Sequence, residues 1–145
     1  MLYALFNRNK HNREPAMKHR QGAHPKGKPM HKQPFPTVTR VGNMIFSSAL
    51  SGTDLASGEL PKDAEKQIEH AFANVKACVE EVGGTVGDIG KMVVYLADRN
   101  MREVVNKYWV AMFPDEHDRP VRHTIGGDLP GGFIIQIEFI AVTQK

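Results

Sequence analysis

Glu138 is the polar residue whose neighbours point most directly to chemistry. It lies within the apolar run IIQIEFIA, residues 134–141. Burying an ionised carboxylate alone in such a setting costs on the order of several kcal/mol. Glu138 therefore needs either a partner of opposite charge or a function that justifies its position.

The natural partner is an arginine, and Arg122 stands in RPVRHTIG, residues 119–126, on a neighbouring strand candidate. Its planar guanidinium presents two parallel N–H groups that fit a carboxylate. Two interpretations stay open on these residues alone. Arg122 forms a structural pair with Glu138 inside a sheet, or it binds the carboxylate of a ligand.

No other group of residues indicates a competing chemistry. Ser47 and Ser48 lie outside a G-x-S-x-G elbow and have no evident base, which argues against a serine hydrolase. The run GGDLPGG, residues 126–132, follows no strand-to-helix junction and lacks the lysine of a phosphate loop. His117 and His123 are isolated histidines, which are more often surface or structural residues than ligands.

Residues 37–50, TVTRVGNMIFSSAL, predict two strands joined by a tight turn at Gly42-Asn43. Asp63 is then a candidate cap for a helix that ends at Gly83-Gly84. Cys78 lies beside the apolar stripe of this helix and is predicted to be a core residue rather than a nucleophile. The stripe keeps helical spacing at Ala64, Ile68, Ala71, Phe72, Val75, Val79 and Val82.

The second half of the chain predicts a strand at 91–97, a helix at about 100–113 and strands at 121–126 and 133–142. Asn100 is the expected cap of that helix, and Pro114 its stop. The order ββαβαββ indicates an α+β fold, with an antiparallel or mixed sheet and two helices on one face. Because the other face also needs cover, we expect the chain to oligomerise.

Charge is divided unevenly along the chain. Residues 1–32 carry eight Lys and Arg against one acid, whereas residues 33–145 carry eleven against fifteen. The first segment has little apolar pattern and predicts a flexible basic tail, followed by one domain at 33–145. Aromatic residues do not interleave its charges, which argues against a nucleic-acid arm. The histidines at 19, 24 and 31 match no metal spacing, so no metal is expected.

The whole composition suits one soluble domain. The chain has 145 residues, 41% of them hydrophobic, and a single cysteine, which excludes a disulfide within the chain. No run approaches the roughly 18 apolar residues that span a bilayer. The expected location is the cytoplasm, without a membrane partner.

Six motifs in succession resemble the signatures of the RidA/YjgF family, also called the reactive intermediate deaminases. The resemblance covers about residues 33–144, and its specificity comes from the order of the motifs rather than from any one of them. In chain order the motifs are GNMIFSS, SGELP, QIEHAFANVKACVEEVGGTVGDIGKMVVYLAD, VVNKYW, RPVRHTIG and IIQIEFIAV.

The resemblance implies a chorismate-mutase-like fold, a homotrimer with an internal barrel, and ligand sites in clefts between subunits. It implies that Arg122 binds a substrate carboxylate and that Glu138 orients the hydrolytic water. Ser48 and Asn106 match further residues of the site. The implied reaction is hydrolysis of a 2-imino acid or enamine to a keto acid and ammonia, with no metal or organic cofactor.

The chain departs from the family pattern at the implied site. Ser48-Ala49-Leu50 stands where many members have Ser-Gly-Gln, Phe35 replaces a tyrosine, and His123 replaces a serine after the arginine. These residues make the expected cleft more apolar at one end and add a titratable group. We therefore expect a bulkier or different imine than that of a short amino acid.

Two other functions remain as alternatives. The first is a trimer that binds a small carboxylate metabolite or a partner protein without turning it over. The presence of both Arg122 and Glu138 favours the enzyme, since a binder needs the arginine but not the water-orienting acid. The second is the ribonuclease or translation inhibitor described for some members, which the acidic balance of residues 33–145 argues against.

Overall fold

The computed structural model describes residues 19–145, and its sheet is built around the predicted hairpin. Strand β2 (Val38–Val41) and strand β3 (Met44–Ser47) pair antiparallel across Gly42 and Asn43. Gly42 adopts φ +59°, in the left-handed region where a side chain is disfavoured. The turn prediction is confirmed, and the hairpin fixes the register of both strands.

Five further strands complete a seven-stranded sheet: β1 (Gln21–Ala23), β4 (Leu50–Ser51), β5 (Ile89–Leu96), β6 (Val121–Gly126) and β7 (Ile135–Val142). The strand order is β1-β2-β3-β7-β5-β6, and β4 also pairs with β7. Every pairing is antiparallel except β5 with β6. The mixed sheet of the predicted α+β fold is confirmed, and the short strands β1 and β4 are additions to the predicted order.

Both predicted helices are present. Helix α1 (Ala64–Glu81) starts after Asp63, whose side chain makes no capping bond, and stops before Gly83, where φ is +85°. Helix α2 (Arg102–Met112) follows a single 3₁₀ turn. The predicted cap Asn100 is wrong, because Asp98 instead accepts the backbone N–H of Asn100. The polar side chain that can cap lies at the start of that turn, two residues earlier.

The helices cover one face of the sheet, and the core lies between the two layers. The apolar stripe of α1 from Ile68 to Val79 is buried in this core, which also contains alternate residues of β5 and β7, such as Val94 and Ile137. Strand β7 alternates buried and more exposed residues throughout its length. This is the pattern of a sheet that a single chain covers on one side only.

The other face of the sheet, here called the open face, carries exposed apolar side chains. Met44 on β3 is directly paired with Val142 on β7, and Ile140 lies two pairs further along, on the same face. Their exposures are 38%, 47% and 38%, respectively. A contiguous apolar patch of this kind is typical of a surface that another protein surface covers.

The packed part of the chain begins before residue 33. Gln21–Ala23 pairs with β2, and the side chain of Pro25 is buried. The predicted boundary between tail and domain therefore falls inside the packed part, because backbone pairing orders a segment whose composition gives no apolar pattern. The rest of the predicted tail, residues 1–18, lies outside the described residues.

Gly52 gives a test of this packing. A Cβ atom at Gly52 would lie 2.0 Å from the carbonyl oxygen of Gln67 on α1. The loop after β4 can therefore approach the helix this closely only if residue 52 is glycine. We expect Gly52→Ala to lower the free energy of unfolding by about 3 kcal/mol. Urea titration at fixed protein concentration measures the change. Gly90→Ala is the control, since its added Cβ meets open space; equal effects of the two substitutions would refute this account.

Candidate active site

Arg122 is held in a defined orientation by two residues of α2. Its Nη2 donates a 2.7 Å hydrogen bond to Oδ1 of Asn106, and its guanidinium carbon lies 4.9 Å from the centre of the Trp109 ring. Planar stacking on an aromatic ring is a preference of arginine that lysine does not share. The fork of the guanidinium is therefore oriented before any ligand binds.

The β5-α2-β6 crossover explains why these residues meet. Along β6, Arg122, Thr124 and Gly126 pair with Met92, Val94 and Leu96 of β5, which are buried beneath the helices. Arg122 and Thr124 therefore face the helical layer. Asn106 and Trp109 lie three residues apart on α2 and share one face of that helix. We call the region where these residues of α2 and β6 face each other the α2-β6 groove.

Two buried polar atoms in this groove have no partner among residues 19–145. They are Nη1 of Arg122 and the hydroxyl oxygen of Thr124. Buried polar atoms in folded proteins are almost always hydrogen-bonded. Two such atoms without a partner, close together on one strand, therefore point to a ligand. Thr124 was missed from the sequence, although its position two residues after Arg122 on a strand places it on the same face.

The charge of Arg122 is partly desolvated. Burial lowers the pKa of Arg122 below its ordinary value, and the nearby positive charge of Arg102 lowers it further. Arginine nevertheless stays protonated at neutral pH, because its pKa begins so high. A half-buried cation of this kind attracts an anion more strongly than a fully solvated one does.

Glu138 lies on the opposite side of the sheet from Arg122. Its position on β7 pairs with Val93 of β5, one residue away from the register of Arg122 with Met92. It borders a hollow of about 250 Å³ on the open face, lined by Phe46, Ser47, Lys91, Val93, Glu138, Phe139 and Ile140. Within residues 19–145, no cation forms an ion pair with Glu138.

Of the two interpretations that the sequence left open, the structural pair of Arg122 with Glu138 is therefore excluded within a single protomer. Strand β5 lies between β6 and β7, and the two side chains leave the sheet on opposite faces. Adjacent strands are about 4.8 Å apart, and alternate residues point to opposite sides. The sequence separation of Arg122 and Glu138 could not predict that they lie on opposite faces, because their relative placement depends on strand order.

Phe35 and Ser48 lie at the β2-β3 side of the protomer. The Phe35 ring is 50% exposed and packs against His31 with ring centres 4.4 Å apart. The Ser48 hydroxyl donates to the carbonyl oxygen of Thr37 at 3.0 Å. In one protomer these residues do not join Arg122, since β7 and β5 separate the hairpin from β6.

The other predicted site residues have different surroundings. Ala49 is exposed, whereas Leu50 is fully buried in the core through the pairing of β4 with β7. Leu50 can therefore influence a cleft only through packing. His123 is exposed on the open face, in one row with Val93 and Glu138 across three strands.

Cys78 is buried within the core, as predicted. Burial raises the pKa of its thiol to about 12, and the charge of Glu81 acts in the same direction. Since the thiolate is the reactive form, Cys78 is a packing residue at neutral pH.

A family model and several known proteins match most of this chain. The family model described as Endoribonuclease L-PSP matches residues 26–143. The 2-iminobutanoate/2-iminopropanoate deaminase of Escherichia coli K12 is 36% identical over 113 residues, which are 77% of this chain and 88% of that protein. A RutC family protein of Pyrococcus abyssi is 32% identical over 113 residues, with 77% and 87% covered.

Solved structures share the fold. The YjgF gene product of E. coli has a TM-score of 0.77 and 34% identity, with 86% of this chain and 99% of that chain covered. E. coli TdcF with bound serine has a TM-score of 0.73 and 31% identity, with 79% and 91% covered.

Among residues 19–145, no helix combines the length and the hydropathy that crossing a bilayer requires.

Proposed function

Since the chain belongs to the RidA/YjgF family of reactive intermediate deaminases, which its family model describes as endoribonuclease L-PSP, we propose that it hydrolyses 2-imino acids or their enamines to keto acids and ammonia. The names of the matched relatives support this class of reaction. The supporting observation in this chain is the oriented Arg122 with an unpartnered, buried N–H group. A substrate carboxylate is the acceptor that this group lacks.

The chemistry asks little of the protein. The carbon of an imine is already electrophilic, so the enzyme must fix the carboxylate and deliver a water molecule. Glu138 accepts a proton from that water as its oxygen bonds to the imine carbon. It returns that proton to the nitrogen, which gives a carbinolamine. The proton of the new hydroxyl then passes to the nitrogen as the C–N bond breaks, so that the keto C=O forms and ammonia leaves. Water and imine give a keto acid and ammonia, with no cofactor in the balance.

The proposed site lies between subunits of a homotrimer. In one protomer Arg122 and Glu138 are on opposite faces of the sheet, so both can reach one substrate only if two protomers contribute. The apolar patch of Met44, Ile140 and Val142 supports burial of the open face in an internal barrel. Strand β6 is last in the strand order, which leaves Arg122 accessible to a neighbouring subunit.

The direct test generates 2-imino acids in place. An amino acid oxidase produces the imine, semicarbazide traps the fraction that persists, and the protein is added in catalytic amounts. We expect faster loss of the trappable imine, with a panel of amino acids ordered by side-chain size reporting how Phe35 and its surroundings limit the substrate. Sedimentation measures the oligomeric state of the same sample.

No acceleration with any member of a broad panel would overturn the deaminase and favour the non-catalytic alternative, a trimer that binds a carboxylate metabolite. Calorimetry with the matching keto acids separates these outcomes. Binding without turnover identifies a binding module. If neither binding nor turnover is observed, the assignment of Arg122 to a substrate carboxylate is refuted as well.

A further inference from the structure

We propose that the α2-β6 groove contains a second anion subsite beyond Arg122, formed by Arg99, Arg102 and Thr124, and that the substrate is a dicarboxylic imino acid. This inference rests on the proposed function, because it assigns the first carboxylate to Arg122. It goes further by naming the group at the other end of the substrate. The departures at Phe35, Leu50 and His123 led us to expect a bulkier or different imine than that of a short amino acid, and a dicarboxylic imine is one such substrate.

The subsite is a hollow of about 210 Å³ at the start of α2. Its lining is Leu96, Arg99, Arg102, Thr124 and Gly126. Thr124 and Gly126 are the next two residues after Arg122 on the helix-facing side of β6. The hollow therefore lies next to Arg122 along the helix-facing side of β6.

Arg99 and Arg102 bring two positive charges to this hollow. Within residues 19–145, no carboxylate forms an ion pair with either of them. Arg102 also lies near enough to Arg122 for its charge to disfavour the protonated form of that side chain. An anionic ligand would offset the repulsion between Arg102 and Arg122, and Arg99 lines the same hollow as Arg102.

Gly126 allows Arg99 to approach the strand. A Cβ atom at position 126 would lie 2.8 Å from Nε of Arg99, closer than two such atoms can pack. The absence of a side chain there lets the arginine lie against the backbone of β6, beside the hollow. Thr124 lines the same hollow, and its unpartnered hydroxyl can donate to a carboxylate oxygen.

The spacing suits a short dicarboxylate. Alternate residues of a strand are about 7 Å apart, which separates Arg122 from Thr124 along β6. On α2, Asn106 and Arg102 are one turn apart, or about 6 Å along the axis. A ligand whose two carboxylates are separated by a few carbon atoms therefore spans Arg122 and the second subsite, as the imine of glutamate does.

The test compares two substrates of equal chain length, the imines that oxidases generate from glutamate and from norvaline. We expect kcat/KM to be at least about tenfold higher for the glutamate imine, and this ratio to fall toward one in Arg102→Gln and Arg99→Gln. Both arginines are exposed, so the variants should fold. Lys76→Gln removes an exposed cation of α1 and should keep the wild-type ratio.

Calorimetry with 2-oxoglutarate and 2-oxopentanoate separates this inference from the proposed function. Turnover of both imines with equal kcat/KM would overturn the second subsite and leave the deaminase standing. Absence of turnover, with tighter binding of 2-oxoglutarate that Arg102→Gln abolishes, would support the subsite and refute the deaminase. Equal binding of both keto acids without turnover would overturn both.

Discussion

Arg122→Ala is expected to lower kcat/KM for imine hydrolysis by about a hundredfold to a thousandfold, as loss of one partner of a buried charged hydrogen bond does. The substitution removes the proposed partner of the substrate carboxylate. It also leaves Oδ1 of Asn106 without its donor. Initial rates of imine loss in the semicarbazide assay measure the effect.

Arg122→Lys distinguishes charge from geometry. Lysine keeps the positive charge but has neither the planar fork nor the stacking on Trp109, so we expect it to restore only a small part of the activity. Lys66→Gln on α1 is the control, because it removes an exposed cation whose ion-pair partner is Glu69 of the same helix. Wild-type activity in a correctly folded Arg122→Ala protein would contradict the assignment of Arg122.

Glu138→Gln is expected to lower kcat by about a hundredfold to ten-thousandfold, because glutamine cannot accept the proton of the attacking water. The substitution keeps the size of the side chain. Within residues 19–145, Glu138 forms no ion pair that the substitution would remove. We therefore expect little change in the denaturation midpoint. A loss of activity that follows a loss of folding would assign Glu138 to structure instead.

Mixing the two inactive variants tests whether neighbouring subunits share a site. Equal amounts of Arg122→Ala and Glu138→Gln are unfolded together, refolded and assayed. In a cyclic trimer with heterologous interfaces, about a quarter of the interfaces then combine an intact Arg122 with an intact Glu138. Activity should return to about that fraction of the wild-type value, whereas a site within one protomer would give none.

Local elements were predictable because their signals lie close together in the sequence. Gly42-Asn43 gave the hairpin, helical spacing gave α1, and Pro114 gave the end of α2. The burial of Cys78 followed from its place beside the stripe of α1. Pairings between distant segments were not predictable in this way, since short strands such as Gln21–Ala23 and Leu50–Ser51 carry no apolar pattern of their own.

The candidate site was likewise predictable only in part. The residue types alone identified Arg122 and Glu138, because an arginine and a carboxylate in apolar strands require partners. Only the tertiary structure placed them on opposite faces, buried Leu50, and brought Asn106, Trp109 and Thr124 around Arg122. The physical reason is that side-chain direction alternates along each strand, while strand order decides which residues become neighbours, and strand order is set by packing of the whole chain.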